Sequence, residues 1–199
     1  VSASFHILPR GDWRIAPTTP EYGDIVIVVP PDRAEDYIKR VIALPGDTIA
    51  MVDGRIILNG EEISREMVPP VRLSAENDNL CSSGPGFSHP CMDMFTEYRV
   101  RLEDGSYVYE PPTYRETLPN GASYLVIGHR RQSLDNFAEI PVPDGHAFLM
   151  GDNRDHSADS RAPVYASGLG GPVALEDVGG RAEFITFSLD GRASWNPIS

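Results

Sequence analysis

Lys39 is the single lysine among 17 basic residues in a chain of 199. It lies in Tyr37-Ile-Lys-Arg-Val-Ile-Ala-Leu44, an apolar run stopped by Pro45-Gly46-Asp47. Arginine keeps its proton in proteins, so chemistry that needs an amine base has one candidate here. Read as a strand, the run puts Tyr37, Lys39, Val41 and Ala43 on one face and Ile38, Arg40, Ile42 and Leu44 on the other. If both faces are buried, Lys39 and Arg40 point opposite ways, and each must find its own partner or give up its charge. Burial lowers a lysine pKa, and a neutral amine can take a proton from a serine hydroxyl. The same residues also fit an edge strand whose lysine guards against aggregation, with Arg40 in a surface ion pair.

A second segment, Met150-Gly-Asp-Asn-Arg-Asp-His-Ser-Ala-Asp-Ser-Arg161, follows an apolar stretch. Three carboxylates, two arginines, two serines, an asparagine and a histidine stand within it. A calcium loop is only half present, because Asp152 and Asn153 are adjacent and no Glu occupies the bidentate position. A Ser-His-Asp triad around His156 would draw every member from one loop, whereas triads assemble from separated segments. Asp–Arg pairs that stiffen the loop are the better fit, with Arg40 among the partners supplied from elsewhere.

The elements that must position these groups read as strands. Eighteen Gly and 18 Pro are spread along the chain as turn residues, the pattern of many short strands. Strand signals fall at Asp24 to Pro30, Tyr37 to Leu44, Thr48 to Val52 and Arg55 to Leu58, the last two joined by Asp53-Gly54. Further ones fall at Glu97 to Leu102, Ser106 to Tyr109, Ser123 to Ile127, His146 to Met150 and Glu183 to Leu189. Residues 61 to 139 are more polar and interrupted, and no helix longer than two turns is expected. The fold class is all-β. A net charge of -12 argues against nucleic acid as a partner, since phosphate binding needs a basic surface. No run approaches the roughly 18 apolar residues of a membrane span.

Taken together, the Tyr37 to Asp47 and Met150 to Arg161 segments resemble the two downstream signature boxes of bacterial type I signal peptidases, the Ser–Lys serine endopeptidases also called leader peptidases. Gly23 with Asp24 to Val28 resembles the strand that precedes the first box, and the likeness covers about residues 21–60 and 140–190. It implies a β-barrel-like catalytic core of the signal-peptidase/LexA type, built from residues 21–50 and 140–190. Residues 51–139 would form a β-rich insertion domain, with 1–20 and 191–199 beside it. Position by position, Lys39 matches the general base and Ser157 the hydroxyl that orients its amine. Asp152, Asn153, Arg154, Asp159 and Arg161, with Arg40, match the residues that buttress the site, and Gly151 the place where backbone passes close to the base. The implied reaction is cleavage of secretory signal peptides, bound as extended strands with small residues before the cut. The implied setting is the bacterial inner membrane, with the catalytic domain facing the periplasm and no cofactor or metal.

The family's nucleophile, a serine in a Ser-Met-x-Pro box, has no counterpart. Ser2 and Ser4 are the only serines before Lys39, and neither is followed by Met or, three residues on, by Pro. The expectation is therefore that nucleophile and membrane anchor lie upstream of Val1 and that this polypeptide alone is an inactive monomer. Cys81 and Cys91, the only two cysteines, fit a short-range disulfide of the kind the family's insertion can carry; in a reducing compartment they would be free thiols. A pilin- or conjugation-type processing peptidase and a non-catalytic periplasmic peptide-binding module are the alternatives.

Overall fold

The computed structural model describes residues 19–28, 36–74, 80–84, 87–90, 93–128 and 130–181. Ser2, Ser4, Trp13, Trp195, the Cys81–Cys91 pairing and the Glu183 to Leu189 strand lie outside the described residues or their side chains. All described regular structure is β-strand or short 3-10 helix, the longest helix being the six residues Asp93–Tyr98. No helix among the described residues is long and apolar enough to cross a membrane.

Ile25–Val28 and Tyr37–Ala43 are rich in β-branched residues and become neighbours in a five-stranded antiparallel sheet. Its order is Val173–Ala174, His146–Met150, Tyr37–Ala43, Ile25–Val28 and Val178–Arg181. The lysine strand is thus the central one, which rules out the edge-strand alternative for Lys39. A four-stranded sheet holds Phe137–Pro141, Thr48–Val52, Arg55–Leu58 and Glu61–Glu62. Its Thr48–Val52 hairpin turns through Asp53 and Gly54 at φ 47° and 77°, the two left-handed positions that an Asp-Gly turn supplies.

The 51–139 stretch adds a three-stranded sheet in the order Ser123–Ile127, Thr113–Thr117, Ser64–Val68. Two of these strands escape the hydrophobic pattern, because Arg65 and Glu116 put charges at inward positions. Glu97 to Leu102 is not one strand. Asp93–Tyr98 is a 3-10 helix that buries Phe95, and only Arg99–Arg101 pairs, with Tyr107–Tyr109 across the Asp104-Gly105 turn.

The two faces of the lysine strand serve two apolar clusters. Tyr37 and Val41 pack with Val26, Val28, Ala147, Leu149 and Val173. Ile42 joins Ile49, Phe148 and Met150, together with Met51, Ile56, Ile63, Leu118, Tyr124 and Val126 from the 51–139 stretch. A register shift between Phe148 and Leu149 keeps neighbouring residues of that strand in opposite clusters while turning Ala43 toward the larger one. Phe148 is fully buried and stacks on Phe137 at 5.6 Å between ring centroids. We predict that Phe148→Ala lowers unfolding free energy by about 3–5 kcal/mol at an unchanged urea m-value. A loss below about 1 kcal/mol would show that this ring does not hold the core together.

Candidate active site

Strand pairing brings the two sequence segments together. Met150 pairs with Arg40 and Leu149 with Val41, so continuing the register by one residue sets Gly151 opposite Lys39. By alternation, Gly151 presents the face that Leu149 shares with Val41 and Tyr37, the face of the Lys39 side chain. The missing side chain at 151 is a requirement of packing. A Cβ there would lie 2.1 Å from Ser157 Oγ and 2.6 Å from Ser157 Cβ. Ser157 therefore occupies the space a residue-151 side chain would take, beside the lysine strand.

Lys39 is half-buried. Its Nζ donates to its neighbour's carbonyl, Ile38 O, at 3.2 Å and stands 4.8 Å from the centroid of the Tyr37 ring. Burial lowers the pKa of the amine below the ordinary lysine value. Asp159 and Asp152 oppose that shift, while Arg161 adds to it. The hydrogen bond expected between Lys39 and Ser157 is not formed here, and Ser157 Oγ is buried with no partner. The amine has turned along its own strand, where a carbonyl and a ring face stabilise it.

Around this pair the loop is braced as the Asp–Arg reading expects. Arg40 forms a two-pronged bond to Asp152, Nε to Oδ1 at 2.8 Å and Nη2 to Oδ2 at 2.7 Å, and its Nη1 donates to Gly23 O at 2.7 Å. Asp159, fully buried, accepts Arg161 Nε at 2.9 Å and Nη2 at 2.8 Å, and the Gly151 N–H at 3.0 Å. Burial alone would raise its pKa; Arg161 and the backbone donors outweigh that and hold the carboxyl below its usual range. Ser160 zips the loop back onto the sheet by accepting the Leu149 N–H at 3.0 Å. Asn153 makes a parallel bridge to Ile127 and donates to Met94 Sδ at 3.6 Å. His156 is exposed.

Two residues of this network, Glu116 and Arg65, escaped the sequence reading. Glu116, on the central strand of the three-stranded sheet, is fully buried and forms a two-pronged ion pair with buried Arg154. Its register partners are Arg65 on one side and Tyr124 on the other. Tyr124 Oη donates to Glu116 at 3.1 Å, and Arg65 Nε stands 3.9 Å away. Arg154 in turn donates from Nε to Gly151 O at 3.2 Å and accepts Arg161 Nη2 at its own carbonyl at 2.7 Å. Gly151 is thus held by its N–H through Asp159 and by its C=O through Arg154. The available signal was a glutamate at an inward-alternating position beside Tyr114 and Tyr124, but the strand itself was not recognised.

The arrangement sets one amine of lowered pKa on a central strand and packs the Ser157 hydroxyl over Gly151. Among the described residues no group of three or more His, Cys, Asp and Glu side chains is placed to hold a metal ion.

Two predictions follow from this geometry. Glu116→Gln leaves Arg154 buried without its counter-charge and should cost about 3–5 kcal/mol, whereas Glu116→Leu with Arg154→Met should cost less than that single change. Urea denaturation of the three proteins checks the order, and a double variant worse than the single would contradict it. The second concerns Lys39, whose folded pKa lies below its unfolded value. The unfolded chain then binds more protons between the two values, so stability rises with pH across that interval. Lys39→Met should therefore be more stable than the wild type near neutral pH, with the advantage shrinking toward pH 10.5 in denaturation series. A constant difference across that range would show an unshifted amine.

The family profile described as "Signal peptidase, peptidase S26" matches residues 3–187. Signal peptidase I of Rickettsia typhi is 32% identical over 198 residues, covering 92% of this chain and 58% of the relative. Signal peptidase I of Rickettsia bellii is 33% identical over 187 residues, covering 88% and 50%. A solved signal peptidase I from Enterococcus faecalis V583 superposes with a TM-score of 0.40 at 21% identity, over 83% of this chain and 97% of that one. The chain spans little more than half the length of the relatives it matches. With its profile match running almost end to end, this chain belongs to the signal peptidase S26 family.

Proposed function

We propose that this chain carries the general-base half of a membrane-associated Ser–Lys endopeptidase that removes signal peptides from secreted preproteins on the periplasmic side. The observation that carries this reading is the lone lysine on a central strand, its amine desolvated and its pKa lowered, next to the glycine over which Ser157 packs. Family membership supports the peptidase class.

In this reading Lys39 swings from Ile38 O onto Ser157 Oγ, which would give the buried hydroxyl its missing partner and hold the amine toward substrate. The nucleophile is a serine hydroxyl that the described residues do not contribute. Neutral Lys39 accepts its proton as it attacks the scissile carbonyl, then returns that proton to the leaving amine. Lys39 next takes a proton from water, which hydrolyses the acyl-enzyme. Substrate lies extended along a strand edge, where backbone hydrogen bonds supply affinity and shallow pockets select small residues before the cut. Residues 21–50 and 140–190 form the catalytic half and residues 51–139 the insertion that supports it.

Three measurements on the full-length protein with a preprotein substrate test this. Cleavage should fall on acidification with a midpoint below the ordinary lysine value, because only the neutral amine accepts a proton. Lys39→Arg should lose at least about 10²-fold in kcat at every pH, and Ser157→Ala should lower kcat more than it changes KM. A Lys39→Arg protein that cleaves at near wild-type rate would remove the assigned base. Stoichiometric binding of signal peptide with no cleavage by the wild type would favour a binding module.

A further inference from the structure

Beside the site loop, and built largely from the 51–139 stretch, lies a cavity of about 200 Å³. Five arginines line it: Arg65, Arg130, Arg131, Arg154 and Arg161. That is room for an ion of several heavy atoms together with solvent.

Most donors and acceptors in this cavity already have partners. Arg154 spends its Nη atoms on Glu116, and Arg161 spends Nε and Nη2 on Asp159 and Arg154 O. Asp53 pairs with Arg131 at 3.0 Å, while Asp155 accepts the Arg130 N–H and Asp135 the Gln132 N–H, both at 2.8 Å. Two donors are left over. Arg65 donates from Nη1 to Gly54 O and lies over the Tyr114 ring, but its Nε, 3.9 Å from Glu116, and Arg161 Nη1 are buried without a hydrogen-bond partner, and the Arg161 side chain is only 1% exposed. Buried polar groups are ordinarily satisfied, and an unpaired N–H on a charged group is among the least tolerated exceptions.

We propose that this cavity binds a small oxyanion of the phosphate class. Arg65 Nε and Arg161 Nη1 are its inner donors, and Arg130 and Arg131, more exposed and paired with Glu97 and Asp53, also line it. The inner donors come from guanidinium groups on different segments, which suits a tetrahedral anion with acceptors in several directions better than a planar carboxylate gripped by one fork. The occupant is either a free ion or the phosphate of a lipid headgroup, and the same two donors would read both. The inference is independent of the proposed peptidase reaction, since it uses no property of Lys39.

The test is titration of the 199-residue chain with inorganic phosphate at ionic strength held constant with chloride, followed by thermal unfolding and by the arginine Nε–H signals in NMR. Wild type should show a saturable rise in Tm and a shift of a buried Nε–H signal. Arg65→Gln and Arg131→Gln should each weaken binding at least tenfold, whereas Arg99→Gln, an exposed arginine stacked on Tyr107, should match wild type. Vesicles of phosphatidylcholine with and without phosphatidic acid identify the source. Arg65-dependent capture by the phosphatidic acid vesicles assigns a headgroup, and phosphate binding without capture assigns a free ion. No saturable phosphate response, or one that survives both cavity substitutions, overturns the site; should Arg65→Gln fail to fold, Arg131→Gln and the wild-type NMR shift decide it.

Discussion

An ammonium group on the central strand of a sheet has to be tolerated by elements other than its own. Lys39 is half-buried, flanked by Tyr37 and Val41 of an apolar cluster, and burial weakens the hydration of its amine. The two ways to relieve such a charge are a counter-ion and loss of the proton, and the structure balances them. Asp159 and Asp152 favour the charged amine, but each is tied to an arginine, Arg161 or Arg40, that takes up much of its field. Burial then decides, and the amine leans toward neutrality at a lower pH than lysine ordinarily does. Gly151 bears on the same strand, since only a residue without a side chain leaves room for Ser157 to pack over it.

The paired charges do not earn their place through stability. A fully buried pair such as Arg154–Glu116 gains about as much from attraction as it loses in desolvation, and apolar replacements of similar volume often do as well. What the pair supplies is position. Glu116 ties a strand of the 51–139 stretch to Arg154, Arg154 holds the Gly151 carbonyl, and Arg161 closes the chain through Asp159 to the Gly151 N–H. The Ile127 N–H adds a backbone link to Asp152 O at 2.8 Å. The strands after residue 60 thus fix the loop that faces Lys39, and their apolar residues share its core.

What could be read from sequence was local chemistry, and what was missed lay across strands. The opposite faces of Lys39 and Arg40 were legible because alternation in a β-branched run has one geometric meaning. That Asp–Arg pairs brace the loop, with Arg40 among the partners, was legible from its density of both charges; which arginine takes Asp152 and which Asp159 was not. Ser64–Val68 and Thr113–Thr117 were not, since their inward positions include Glu116 and Arg65, which read as solvent-facing until a partner strand is placed beside them. The segment from Glu97 misled for a related reason, because Phe95 and Tyr98 pack from a 3-10 turn with no period-two pattern.

The presence of one lysine makes the central claim directly measurable. In protein labelled with ¹³C and ¹⁵N at lysine, a single side-chain Cε–Nζ signal reports on residue 39 alone. Followed from pH 5 to 12, it should titrate with a midpoint clearly below 10.4, the value of a solvated lysine. A midpoint at or above that value would mean that the amine keeps its proton as any surface lysine does, and that this strand holds no base.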